Sequence, residues 1–253
     1  MRETRRWHVA AMAGLAALVL YLVLGQSTFY ENDGHFLLLR HLQRGETTVP
    51  PHSRHFLTEP LLYLFALPVE GLLGISPYRT AVVFSSLGTA IGVFLTGLAG
   101  LRLGLEPRRA ASAALLFATL PGVLLFATVV EFHGPFLAAA GLALFLTAVW
   151  CRSQNPGAAI LLGSCTALAA GMHATGQLLP LALVSFFLAD RRREQDPSPK
   201  PAVQAGIAVL VHFALLGLTV WILRSLAVLP EAPVTAGRSV LDSLPGYSYL
   251  SAF

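Results

Sequence analysis

Charge is scarce in this chain. Asp, Glu, Lys and Arg together make up 12% of its 253 residues, well below the roughly one quarter usual for a soluble domain. Lysine is nearly absent, Lys200 being the only one, so the net charge of +4 is an arginine charge. The two cysteines, Cys151 and Cys165, are too few for a disulfide framework or a cysteine-rich metal site. They read as small apolar packing residues. Strand-and-turn alternation is missing too, which argues against a β-barrel. No short-period repeat is visible.

What is there is apolar. Hydrophobic residues make up 55% of the chain and the mean hydropathy is +0.66. Several runs approach the roughly 20 residues needed to cross a bilayer. The fold class this predicts is all-α, a polytopic transmembrane helix bundle with residues 1–253 as a single transmembrane domain. In such a chain an arginine excess reports orientation, and no nucleic-acid partner is expected. Met1 to Arg6 precedes an apolar run from about Ala10 to Leu24 with no clean small-x-small cleavage site, which predicts an uncleaved first span with its N-terminus inside.

Loop charge sets the remaining topology. Residues 26–57 form an outer loop, in which Asp33 to Arg44 reads as an amphipathic helix capped by Asp33 or Asn32, ended by Gly45 and lying along the interface. If Phe56 to Ile75 crossed, Arg102, Arg108 and Arg109 would fall outside, against the positive-inside tendency. Residues 56–75 are therefore expected to be interfacial or re-entrant. Further spans run from about Ala81 to Leu101, Ala110 to Val130, Phe136 to Trp150, and Val203 to Ile222. Gly157 to Leu188 is too long for one span, at about 1.5 Å per residue, and splits into a hairpin with His173 at its outer tip. About seven spans result, with a cytoplasmic loop at 190–201 and an outer tail at 225–253. The expected setting is a bacterial inner (plasma) membrane, with the N-terminus cytoplasmic. Gly88-x-x-x-Gly92 reads as a close helix contact, and His212 as a helix–helix hydrogen-bonding residue.

Two acid–histidine patches share the outer face in this layout, Tyr30-Glu31-Asn32-Asp33-Gly34-His35 and Glu131-Phe132-His133. Carboxylates beside a bilayer are costly to keep ionised, so their placement suggests use. Asp33 fits a general base for a hydroxyl or a cation ligand, and equally a helix cap. Glu31 is a weaker candidate of the same kind. Glu131 fits a site carboxylate or a solvated loop residue, and His133 reads as orienting a neighbour. His35 and His133 are candidate substrate-binding residues, and Arg54, His55, Arg79 and Arg224 are candidates for holding an anionic headgroup or phosphate, although an interfacial arginine also snorkels for no other purpose. No histidine pair has the i,i+4 spacing of His-Glu-x-x-His.

The layout resembles the GT-C superfamily of polytopic glycosyltransferases, such as protein O-mannosyltransferases and the aminoarabinose transferase of lipid A. The resemblance covers most of residues 7 to 190 and rests on short motifs. The early loop acid is matched by Asp33 or Glu31, the second outer acid by Glu131 in Val129-Val130-Glu131-Phe132-His133. The His-Pro-Pro-like stretch is matched loosely by His55 to Tyr63. Relatives usually have more spans and often a soluble domain, so a truncated or minimal member is implied. The resemblance implies a polyprenyl-phosphate sugar donor in membrane lipid, its phosphate met by Arg54, Arg79 or Arg224. The acceptor would be a glycan, lipid or protein. Asp33 would deprotonate the acceptor hydroxyl, and Glu131 would position that acceptor or help hold a divalent cation. Two rivals stand beside this reading: a transporter or lipid flippase, whose polar groups would sit at mid-membrane, and a noncatalytic scaffold derived from a transferase.

Overall fold

The computed structural model describes residues 4–26, 33–42, 55–153, 155–185 and 200–225. Among them every regular element is helical: α1 (Thr4–Leu24), α2 (Asp33–Leu42), α3 (Thr58–Leu73), α4 (Pro77–Arg102), α5 (Pro107–Thr119), α6 (Pro121–Thr128), α7 (His133–Ser153) and α8 (Pro156–Met172). After these come α9 (Ala174–Ser185), which opens with a 3-10 turn, and α10 (Lys200–Ser225). Helices α1, α4, α7 and α10 are each long and apolar enough to cross a membrane, and the bent pair α5–α6 would make a fifth span. At 17 residues α8 is shorter, as is α9. The protein is an integral membrane helical bundle.

Proline sets where these helices begin. Pro77, Pro107, Pro121 and Pro156 each occupy the first turn of a helix, where an N–H is not needed and the fixed φ suits the turn. Ser76 and Asn155 complete two of these starts by accepting the N–H of Arg79 and Gly157, at 3.4 and 2.8 Å. Pro121 also corrects the expectation of one straight span from Ala110 to Val130. The chain breaks at Leu120, whose ψ of 134° is extended, and α5 meets α6 at a bend of 66°. Proline cannot supply the N–H that would continue α5, and it drives the preceding residue out of the helical region. Beside the break, the Tyr21 hydroxyl donates to the Ala118 carbonyl at 3.0 Å.

The bundle centres on α4, which packs most extensively against α7 and next against α1, while α8 bridges α7 and α10. Glycines bring α4 and α7 into backbone contact, as the Gly88-x-x-x-Gly92 spacing suggests. A Cβ at Gly88 would lie 2.6 Å from the Gly134 carbonyl carbon, and one at Gly92 2.7 Å from the Leu137 carbonyl oxygen. Cys151 is buried, Cys165 is partly buried, and neither is in a disulfide. His212, fully buried on α10, pairs through Nδ1 with the Thr166 hydroxyl of α8 at 3.0 Å, the helix–helix role expected of it.

Polar groups gather at opposite ends. At one end Arg152 donates to the carbonyls of Arg102 and Leu103 (3.1 and 2.9 Å), closing the C-terminus of α4. Arg108, Arg109 and Lys200 begin α5 and α10, and the Trp150 to Gln204 bond of 2.7 Å ties the start of α10 to the end of α7. At the other end the Gln26 N–H donates to the Thr128 carbonyl at 2.9 Å and the Tyr78 hydroxyl to the Gln26 carbonyl at 3.1 Å. Glu131, His133, His55 and His173 all lie at this second end. The parity of loop charges thus separates these residues by end as expected.

Helix α2 docks on that second end. Gly34, Leu37, Leu38 and His41 are buried, the i, i+3, i+4, i+7 stripe of an amphipathic helix. Leu37 and Leu38 pack with Leu62, Ala81, Val82, Val130 and Phe132. The helix ends at Leu42; Gly45 lies outside the described residues. Helix α3 covers most of the segment expected to be interfacial or re-entrant. Its 16 residues reach about 24 Å, less than a hydrocarbon core of about 30 Å. Only its Thr58, Leu62 and Ala66 are buried, and Glu70 pairs with His41 of α2 at 2.5 Å.

Candidate functional site: a carboxylate and a histidine column

The irregular turn between α6 and α7 positions Glu131. Val129 is extended, ending α6, and Ser85 of α4 holds the next turn reciprocally. Its hydroxyl donates to the Glu131 carbonyl at 3.1 Å and accepts the Glu131 N–H at 3.2 Å. Glu131 is only 2% exposed. Its Oε2 accepts the Phe132 N–H at 3.1 Å and meets His133 Nδ1 at 3.3 Å. An ionised carboxylate accepts only, so facing an ionised Glu131 the His133 ring carries its proton on Nδ1.

Three imidazoles form a column beside this carboxylate. His55 lies on Phe132 with ring centroids 4.0 Å apart, His173 follows at 4.8 Å from His55, His133 at 4.4 Å from His173, and Phe126 closes the column on His133 at 3.8 Å. The two outer pairs are stacked, and the imidazoles tilt against one another by 42° and 39°. Each ring arrives from a different element: the turn before α3, the break after α8, and the first turn of α7. His55 Nδ1 donates to the Met172 carbonyl at 3.1 Å, where the Thr58 hydroxyl also donates at 3.1 Å. Together they satisfy a carbonyl left open at the end of α8. His173 Nδ1 accepts from the Thr175 N–H at 3.3 Å and from its hydroxyl at 2.7 Å. The neutral ring is therefore protonated on Nε2.

His173 sits between α8 and α9, outside both helices. Burial, and secondarily the neighbouring His133, push its imidazole from 6.5 down to about 4. Free in the unfolded chain, it binds a proton below about 6.5, while the folded protein resists doing so. Stability associated with this residue is complete above pH 6.5 and is lost as pH falls toward 4, by roughly 2–3 kcal/mol once partial solvent screening is allowed for. Thermal unfolding in detergent at pH 7.5 and 4.5 measures this, and His173→Gln is expected to reduce the acid-induced fall in Tm. An undiminished fall in that variant would assign the acid sensitivity elsewhere.

The two acid patches meet through their backbones. A Cβ on Gly34 would collide with the Val130 carbonyl, so the first turn of α2 rests directly on the residue preceding Glu131. Asp33 and His35 flank that contact in sequence; their side chains lie outside the described ones, as does that of Arg224 in the last turn of α10. Glu31 and Arg54 lie outside the described residues altogether. Arg79 is exposed on the first turn of α4, at the same end of the bundle. Sequence reading places His173 at a hairpin tip and misses its part in the column, although its shared side with His133 is a usable signal. It also misses Ser85, because a serine 46 residues from Glu131 carries no local sign of the pairing.

Beyond Phe56 the site adjoins an apolar, partly open cleft of about 180 Å³ between α8 and α10. Phe56, Leu57, Ser164, Ala167, Leu216 and Thr219 are among its lining residues. Among the described residues no three His, Cys, Asp or Glu side chains converge to hold a metal ion. No protein family, curated protein or solved structure matches this chain.

Proposed function

We propose that the protein is a membrane glycosyltransferase of the GT-C type, with about seven spans, that moves a sugar from a polyprenyl-phosphate donor to an acceptor hydroxyl. The observation carrying this reading is the pairing of buried Glu131 with partly exposed His133 at a bundle end where α2, bearing Asp33, is seated against Val130. A carboxylate hydrogen-bonded to an accessible imidazole is an arrangement suited to proton transfer. In the reaction the bond from the anomeric carbon to phosphate oxygen breaks, a new glycosidic bond forms to the acceptor oxygen, and the hydroxyl proton is taken up by the site. Polyprenyl phosphate leaves with the bonding electrons. An arginine at this end, Arg79 foremost, suits the leaving phosphate. The cleft beside Phe56 suits the first apolar units of the donor, since it lies between helices of the bundle and is lined mainly by hydrocarbon.

Purified protein in liposomes, given a panel of isotopically labelled polyprenyl-phosphate hexoses and pentoses with membrane extract as acceptor, tests this. Wild-type protein is expected to release polyprenyl phosphate from at least one donor and to transfer its sugar. Glu131→Gln is expected to lower that rate by roughly 100-fold or more. Turnover of no donor, together with translocation of a fluorescent lipid by the same liposomes, would instead establish the flippase reading.

A further inference from the structure

We infer that His133 Nε2 is the group that takes the acceptor proton, with Glu131 and His173 as its positioning residues. This rests on the transferase reading for its substrate but not for its geometry. The resemblance to GT-C enzymes implies Asp33 in this role; the hydrogen bonds around His133 point elsewhere. Glu131 Oε2 holds the Nδ1 side of the ring at 3.3 Å, which leaves the lone pair of the neutral imidazole on Nε2. Phe126, stacked within 10° of parallel at 3.8 Å, fixes the ring plane. A carboxylate on one imidazole nitrogen, with the other presented as acceptor, is the arrangement that activates hydroxyls in general-base catalysis.

Access and orientation agree with that role. The His133 side chain is 26% exposed, against 3% for the Glu131 side chain it bonds, so the ring is the accessible member of the pair. His55, by contrast, is 1% exposed with its Nδ1 committed to the Met172 carbonyl. His173 lies 4.4 Å from His133 and is fixed by Thr175 as an Nε2–H donor. Held in this way, His173 packs against one face of the His133 ring and positions it opposite Phe126. In the proposed step the acceptor O–H proton moves to His133 Nε2, the ring becomes imidazolium, and Glu131 balances its charge. The acceptor oxygen then bonds to the anomeric carbon as polyprenyl phosphate departs.

Diethyl pyrocarbonate tests the assignment without any sugar substrate. An unprotonated imidazole nitrogen attacks its carbonyl, expelling ethyl carbonate, which decomposes to carbon dioxide and ethanol; the Nδ1 proton is lost to Glu131 or solvent. In wild-type protein in detergent at pH 7, site-resolved mass spectrometry is expected to show His133 acylated ahead of His55 and His173. Exposed His8 of α1 serves as the internal reference. Glu131→Gln is expected to slow acylation of His133 several-fold relative to His8, and Glu131→Asp to restore part of it. Resistance of His133 while His8 reacts fully would overturn the inference, as would an unchanged rate in Glu131→Gln. In the transfer assay, run well below the variant's Tm, His133→Gln is expected to lose about 100-fold or more in turnover, and wild-type turnover in that variant would also overturn it. If no donor is turned over, the transferase reading fails, while the acylation pattern still decides whether His133 is an activated base.

Discussion

Replacing Gly134 with valine is expected to force α4 and α7 apart and to destabilise the bundle more than any surface change. A Cβ at Gly134 would meet the Ser85 carbonyl oxygen and would stand only 2.6 Å from the Ser85 Cα. Those neighbours are backbone, so no side-chain rotation relieves the overlap. Overpacking of an interior site costs about 1–3 kcal/mol where side chains can adjust, and here the helices themselves must move. The Gly92 and Gly141 contacts, a Cβ at Gly141 lying 3.0 Å from the Gly92 Cα, would be lost with it. A penalty of at least about 3 kcal/mol is therefore expected. Because Ser85 also holds the Glu131 backbone, the site should be displaced at the same time. Thermal unfolding in detergent measures the effect, with Gly217→Val as control, since nothing lies within 4 Å of a Cβ there. Equal melting temperatures for the two variants would mean that the α4–α7 backbones are not in contact.

The second large effect is local. Gly34→Val is expected to lift α2 from its seat on Val130 while leaving the rest of the bundle folded. Undocking exposes Leu37 and Leu38, 1% and 7% exposed in place, whose burial contributes about 1.5–3 kcal/mol each. In a background lacking Cys151 and Cys165, a cysteine at position 38 reports the change through maleimide labelling. Slow labelling while Gly34 is kept, and fast labelling once Gly34→Val is introduced, is the expected pair of results. The same variant should abolish sugar transfer if Asp33 or its neighbours border the site. Fast labelling in both proteins would show that α2 is not docked, and the contact between the acid patches would fall with it.

These glycine contacts show where sequence reasoning reached and where it stopped. Fold class follows from composition, because 55% hydrophobic residues with 12% charge leave few alternatives to a membrane helical bundle. The separation of Arg102, Arg108, Arg109 and Arg152 from Glu131, His133 and His173 was legible from loop parity alone. So was the close approach at Gly88 and Gly92, since small residues one turn apart mark a helix contact. The break at Leu120 is legible in Pro121, which lies inside the apolar run without lowering its hydropathy enough to interrupt it. What could not be read were pairings made across the fold. Gly34 and Val130, His55 and Met172, and Ser85 and Glu131 lie far apart in sequence, and each depends on a helix docking that local pattern does not encode. The seat of α2 is one such case: its apolar stripe fits a membrane interface as well as a protein groove, and only the partner at Val130 distinguishes them.

The central claim is that both acid patches and the histidine column face one side of the membrane, away from the arginine end. Single cysteines at Asn32, Thr175 and Ser153, introduced after replacing Cys151 and Cys165, test it directly. Thr175 adjoins His173 in the column, and Ser153 ends α7 beside Arg152; both are exposed. With a membrane-impermeant maleimide on intact cells, positions 32 and 175 are expected to label, and position 153 only after permeabilisation. Labelling of 32 and 175 from opposite sides would contradict the account, because no single site could then contain Asp33, Glu131 and His133.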